Sequence, residues 1–415
     1  MRRGRPGHLL ADGRPAQPPQ GDRVSGHPGG GALMAEGGYI QTVLGPIQPD
    51  QAGVSLIHEH VLLDLTKGIT GVEQYKTGAK KYVPIMRRAE AGWEPGQEGP
   101  GTAATWGAKW GQAVTLENLN DRQKHWVYYG DQKLDSIDDA IYEFDQFRRV
   151  GGSTIVDQTT RGMGRDPLGL VEISRATGVN VVMATGWYLA DYHPPDMDDL
   201  SEEQLVELMV RDIEVGVAGG VKAGIIGEVG MDHPMHPNEE KSLRASAKAA
   251  VATGVALSVH PGFNPASPFD IVKVVDEAGG DLSRTVIDHC DSRFNTSAGT
   301  NVFDSGPLLD LAKTGVYLAF DTFGWEGSFR QRSPVDQPND AIRLNWLKAV
   351  VDAGYPDRVL VSSDIALKHW LRRYGGHGWR HLPETVRNLM RYKGFSEDLI
   401  HRIFVDNPRE VLTKR

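Results

Sequence analysis

The sequence predicts one α/β domain, a (β/α)8 TIM barrel, and three observations carry that prediction. From residue 53 onward short β-branched runs alternate with amphipathic helical segments. Eight such runs can be counted, and several are almost continuously apolar, as parallel strands covered on both faces must be. Eight strand–helix units at this spacing close most simply as a single barrel. The rival, an open doubly wound sheet, is disfavoured because no Gly-x-Gly-x-x-Gly turn follows the first strand.

In chain order the expected strands are Val54–His60, Ser153–Gln158, Val179–Thr185, Ala223–Val229, Ala256–His260, Thr285–His289, Val316–Asp321 and Val359–Asp364. The helices between them have legible ends. Ser136 precedes a segment with Ile137, Ile141 and Phe144 on one face. Ser201 with Gln204 forms a capping-box pattern ahead of Leu205, Leu208, Met209 and Ile213. Gly178, Gly254 and Gly315 are among the glycines that stop a helix before the next strand.

One interval breaks the rhythm. About 90 residues separate the first two strands, where a barrel loop and helix take about 30. The excess, 66–135, contains Trp93, Trp106, Trp110 and Trp126 around a Gly/Pro-rich centre. It reads either as a surface insertion with its own small hydrophobic cluster or as a lid, since it leaves from the end of the barrel where active sites lie. The other anomaly is the N-terminal extension, 1–38. Thirteen of its first 33 residues are Gly or Pro and five are Arg, with almost no apolar pattern. Such a segment cannot bury enough surface to offset its ordering entropy and reads as disordered, or as an extension ahead of a true start at Met34 instead of Met1. Residues 39–415 are then the barrel domain.

Composition excludes several function classes. A formal net charge of −9 over 415 residues argues against nucleic acid, whose phosphates need a basic surface. No apolar stretch reaches the roughly 18 residues that span a bilayer, so no membrane partner is expected. The single cysteine, Cys290, excludes an intrachain disulfide framework and fits a reducing, cytoplasmic compartment, where a buried inert thiol is its simplest reading. A homodimer is the default assembly for such an enzyme.

The chemistry is written at the strand ends. Strand one ends in His58-Glu59-His60, strand four in Glu228, strand five in His260, strand six in His289 and strand eight in Asp364. In a barrel these ends converge on one rim. Four imidazoles and two carboxylates are too many for one four-coordinate ion and suit two divalent ions about 3.5–4 Å apart. Glu59, between the two histidines, is expected to point away from the rim and support its neighbours. Zinc is the expected ion, although manganese, cobalt and iron suit the same ligand types.

The passages Thr42-Val43-Leu44-Gly45-Pro46, Ile57-His58-Glu59-His60, Gly224-Ile225-Ile226-Gly227-Glu228-Val229-Gly230, His260-Pro261-Gly262, Asp288-His289-Cys290-Asp291 and Ser363-Asp364, in this order, resemble the phosphotriesterase-related branch of the amidohydrolase superfamily over residues 39–415. The later run Lys368–His377 resembles the part of that branch holding resiniferatoxin-binding-type proteins. The resemblance implies that His58, His60 and Asp364 hold the more buried metal, that His260 and His289 hold the more exposed one, and that Glu228 bridges them. Phosphotriesterases proper use a carboxylated lysine as the bridge and carry a relay histidine just after the aspartate ending strand seven. Here the bridge position is Glu228 and the relay position is Thr322, after Asp321.

A hydroxide bridging two ions would attack a carbonyl or phosphoryl centre, with Asp364 taking the proton and delivering it to the leaving group. The expected substrate is a small carboxylic ester, lactone or N-acyl amide. The rivals are a genuine phosphotriesterase and a barrel that binds a small ligand without turnover. Lys368, His369, Arg372, Arg373 and His377 with Trp370 and Tyr374 form a basic, aromatic loop after strand eight. It suits an anionic group on the substrate, or is a solvated loop with helix-terminal charges. Lys368, and Tyr188 in the Gly186-Trp187-Tyr188 turn after strand three, are the candidate substrate-binding residues.

Overall fold

The apolar runs form the expected strands in the computed structural model, which describes residues 38–66, 112–124, 129–294, 304–326 and 338–415. The strands are β1 (Val54–Glu59), β2 (Gly152–Asp157), β3 (Asn180–Thr185), β4 (Ile225–Gly230), β5 (Leu257–His260), β6 (Thr285–Ile287), β7 (Tyr317–Phe320) and β8 (Val359–Val361). They pair in sequence order and always in parallel, from Leu56 opposite Ile155 to Phe320 opposite Val361. The ring closes where the Asp364 N–H donates to the His58 carbonyl at 3.1 Å and the His58 N–H donates to Ser362 Oγ at 2.9 Å.

Period-two alternation divides the apolar side chains between two cores. Ile57, Val156, Val182, Ala184, Ile225, Ala256, Val286, Ala319 and Leu360 fill the barrel interior, joined by Ile40, Val411 and Leu412. Their neighbours Leu56, Ile155, Val181, Met183, Ile226, Leu257, Ile287 and Leu318 point outward to the helices. Those helices include α1 (Ile137–Arg149), α2 (Pro167–Thr177), α3 (Glu202–Glu214) and α4 (Pro237–Thr253). The caps are as the sequence predicts: Ser136 accepts from the Asp139 N–H, and Ser201 forms its capping box with Gln204. Gly178 ends α2 at φ 72°, a left-handed turn that a side chain would strain.

The interior core stops short of the rim, and backbone irregularities there aim polar side chains inward. Alternation alone carries His260 and Asp321 to the interior, in phase with Ala256 and Ala319, while Asp364 lies past the end of β8 in a left-handed conformation. One extra residue in β1 between Leu56 and Glu59, and one in β4 between Ile226 and Val229, reverse the phase there. His58, His60 and Glu228 reach the interior by that reversal.

Glu59 is turned the other way, as expected, and clamps β1 to β8. Its Oε1 accepts from Ser362 Oγ and the Ser363 N–H, both at 2.7 Å, and its Oε2 from the Ile365 N–H at 3.0 Å and Trp379 Nε1 at 2.9 Å. Glu59→Ala leaves four donors facing a buried hole and is expected to cost about 4 kcal/mol of stability. Urea unfolding with an unchanged slope and a lower midpoint would show it.

The ends of the long interval after β1 are tied together, with Leu63–Asp64 antiparallel to Lys133–Leu134. Trp93, Trp106, Trp110 and Trp126, with the lid expectation that rests on them, lie outside the described residues, as do Met1 and Met34. Among the described residues no helix is long and apolar enough to cross a membrane.

Candidate metal centre

At the C-terminal rim the six strand-end residues meet. His58, His60 and Asp364 form one group, and Glu228, His260 and His289 a second, each with donor atoms within 4.8 Å of one another. Asp364 Oδ1 lies 3.3 Å from His60 Nε2 and 3.7 Å from His58 Nε2. Glu228 stands between the groups: Oε1 is 3.7 Å from His58 Nε2 and 3.3 Å from His289 Nε2 and touches His260 Nδ1, while Oε2 is 3.6 Å from His60 Nε2. All six are at least nine-tenths buried.

Glu228 owes its position to Gly227, at φ 152°, where a Cβ would fall 2.6 Å from Gln158 Oε1 and 2.7 Å from Ser258 Cβ. His289 and Asp364 sit at φ 56° and 45°, unusual for non-glycine residues. Such strained positions collect at functional sites, where the surrounding structure enforces them.

Every imidazole is held so that one nitrogen faces the cluster. Asp321 Oδ2 takes His58 Nδ1 at 2.9 Å, and its Oδ1 takes both His289 Nδ1 and the His289 N–H at 2.9 Å. His60 Nδ1 is 3.0 Å from Thr159 Oγ1, which itself donates to Asp157 at 2.9 Å. Because Asp157 occupies the hydroxyl proton, Thr159 accepts from Nδ1–H. These bonds leave Nε2 of His58, His60 and His289 as lone-pair donors aimed inward. His58 Nε2 is buried with no hydrogen-bond partner. An orphaned imidazole nitrogen among carboxylates is what a metal ligand looks like, so the residues fit a divalent ion.

The charges agree. Burial pushes the His58 imidazole down, but Asp288, Asp321, Glu228 and Asp364 outweigh it and hold the ring well above its usual value. Burial likewise opposes protonation of His289, yet Asp321 lifts it to about 10. Burial pushes Glu228 up, and His260 and His58 reverse this, holding its carboxyl well below the usual range. His260 falls to about 4, burial outweighing the pull of Glu228. The rim concentrates carboxylates that attract a cation.

Tyr188 Oη lies 3.4 Å from His260 Nδ1 and 3.5 Å from Nε2, beside the cluster. Lys368 does not join it: Nζ is paired with Asp135 at 3.0 Å. Cys290 is buried with its Sγ donating to the Ile287 carbonyl at 3.3 Å, and burial pushes the thiol well above its usual value, so it is inert. Two residues at the site were not singled out from the sequence. Asp321 was visible as one more carboxylate at a strand end. Arg293, whose Nη2 is 3.3 Å from His260 Nε2, gave no signal, because its position depends on the turn begun at His289.

Fold and donor set together define a class: a (β/α)8 hydrolase with a rim whose groups can bind metal. The phosphotriesterase family model matches residues 38–412, and the chain belongs to that family. A phosphotriesterase-related protein of Nematostella vectensis is 35% identical over 384 residues, covering 91% of this chain and 99% of that protein. An N-acetyltaurine hydrolase of Dictyostelium discoideum is also 35% identical over 384 residues, covering 91% and 98%. The crystal structure of a resiniferatoxin-binding protein from Rhodobacter sphaeroides superposes with a TM-score of 0.76 at 34% identity, covering 91% of this chain and 95% of that one.

Proposed function

We propose that this protein is a binuclear, zinc-dependent hydrolase of small N-acyl amides, with esters and lactones as lesser substrates. The observation that carries the reading is the pair of three-residue donor groups joined by Glu228. His58, His60 and Asp364 would hold one ion, His260 and His289 the other, and Glu228 both. Bound there, the ions would polarise the scissile carbonyl and lower a water's pKa to about 7. The N-acetyltaurine hydrolase relative is the reason to put the amide first.

The chain's own groups handle the proton. Asp364 takes it from the attacking water and returns it to the amide nitrogen as the C–N bond breaks, giving a carboxylic acid and an amine. Asp321 keeps His58 and His289 in the tautomer that presents Nε2. With Asp321 committed to two imidazoles and Thr322 next in the chain, no relay histidine serves a phosphotriester leaving group at that position. Organophosphate turnover is accordingly expected to be weak.

The test is a panel of N-acyl amides, aryl esters, lactones and phosphotriesters on chelator-stripped and zinc-reconstituted protein. Hydrolysis of acyl amides that appears with close to two ions bound per chain is the expected result. Full activity with one ion, or phosphotriesters as the best substrates, would overturn the reading.

A further inference from the structure

Arg293 is a buried cation, only 7% exposed, with no carboxylate bonded to it among the described residues. Two other buried guanidiniums do pair with carboxylates: Arg343 holds Asp291 and Asp340, each at 3.1 Å, and Arg165 holds Asp212 at 3.2 Å. Arg293 Nε instead donates to the Pro261 carbonyl and Nη1 to Ser292 Oγ, both at 2.9 Å. Burying a charge with only neutral partners is costly, and a guanidinium's five N–H groups outnumber these acceptors. The outstanding donors belong to Nη1 and Nη2, the edge that suits an oxyanion.

Nη2 lies 3.3 Å from His260 Nε2, an arrangement that holds only while that nitrogen is an acceptor. His260 Nδ1, however, is the nitrogen turned into the donor cluster, touching Glu228 Oε1 and 2.8 Å from His289 Nε2. Once the Nδ1 lone pair is engaged there, the ring's proton resides on Nε2. Arg293 Nη2 then faces a donor and loses its acceptor. Tyr188 Oη, 3.4 and 3.5 Å from the two nitrogens of that ring, likewise loses its acceptor there once Nδ1 is engaged and Nε2 is protonated, which leaves its hydroxyl proton to donate elsewhere. Both residues thus have donors to offer beside the His260 ring. Phe263, 59% exposed, covers the guanidinium with its ring 4.0 Å away and shields it from bulk water.

We propose that Arg293, with Tyr188, forms an anion subsite that anchors a sulfonate or carboxylate on the amine half of the substrate. The proposal rests on the amide-hydrolase reading for what the anion is attached to. A single imidazole ring separates the guanidinium from the metal-facing nitrogen, so the anion is carried on a short arm, such as the two carbons of an aminoethanesulfonate. Lys368 is not this anchor, because Asp135 already holds it.

The zinc-loaded full-length protein and Arg293→Gln are compared on 2-acetamidoethanesulfonate, 3-acetamidopropanoate and uncharged N-propylacetamide. Calorimetry with 2-aminoethanesulfonate reads binding without turnover. The expected result is a fall on the order of 100-fold in the charged-over-neutral ratio of kcat/KM, mainly through KM, and a Kd raised at least about tenfold. Arg293→Lys should recover part of both, and the larger wild-type ratio names the preferred anion. A ratio and Kd that stay at wild-type values overturn the subsite, while wild-type amide turnover leaves the hydrolase reading intact. A wild type that cleaves none of the amides yet binds 2-aminoethanesulfonate through Arg293 supports the subsite and sinks the hydrolase reading. If Arg293→Gln does not fold, wild-type inhibition by ethanesulfonate and by neutral ethyl methyl sulfone decides. Equal inhibition by the two overturns the proposal.

Discussion

Asp364→Asn is expected to lower kcat for acyl-amide hydrolysis by about a thousandfold or more at saturating zinc. The carboxylate faces both histidines of the first strand, at 3.3 and 3.7 Å, and the proposal gives it two roles, ligand and proton carrier. Its backbone leaves little slack. The Asp364 N–H is bonded to His58, and the N–H groups on either side, of Ser363 and Ile365, both end on Glu59. Asparagine tolerates the φ of 45° found there and keeps one oxygen for a metal, whereas alanine would add backbone strain to the loss. The amide cannot take a proton from water, so the variant separates the two roles. Zinc is titrated in while bound metal and rate are followed in the same samples. A rate that returns to wild type once both ions are bound would show Asp364 to be a ligand only and would remove it as the base.

The strands and the histidine ends were legible because they follow from local rules. A parallel strand covered on both faces must be apolar, and the polar residue that ends it is conspicuous. The exact ends were less so: β6 and β8 stop at Ile287 and Val361 because His289 and Asp364 turn into left-handed conformations, which hydrophobicity does not encode. The inward aim of His58 and Glu228 likewise depends on an extra residue in β1 and β4 that pairing alone reveals. The basic loop after β8 shows the opposite failure. Its composition suggested a place for anions, but Asp135, more than 200 residues earlier in the chain, neutralises Lys368. Arg293 was invisible for the same reason. A cation's role is set by which acids surround it, and that is decided by tertiary contacts.

Asp321 is the position where a substitution should reach both halves of the centre at once. It accepts three hydrogen bonds at 2.9 Å, from the imidazoles of His58 and His289 and from the His289 backbone. Burial pushes its carboxyl up, but His289 and His58 overcome this and hold it far below the usual range, so it is ionised at any working pH. In Asp321→Asn a single oxygen must serve two rings, and the amide NH2 faces one of them. That ring can satisfy it only by giving up its Nδ1 proton, which moves the proton to Nε2 and points it into the donor cluster. Loss of such an orienting carboxylate costs about 10–100-fold in metal affinity, and here it acts on a histidine from each donor group. Zinc affinity, measured by competition with a chromophoric chelator, is therefore expected to weaken for both ions. Asp288→Asn provides the control, because Asp288 stands 3.5 Å from His58 Nδ1 and spends its closest bond, at 2.8 Å, on Ser258. Equal losses in the two variants would mean that general negative charge, not tautomer control by Asp321, holds the centre together.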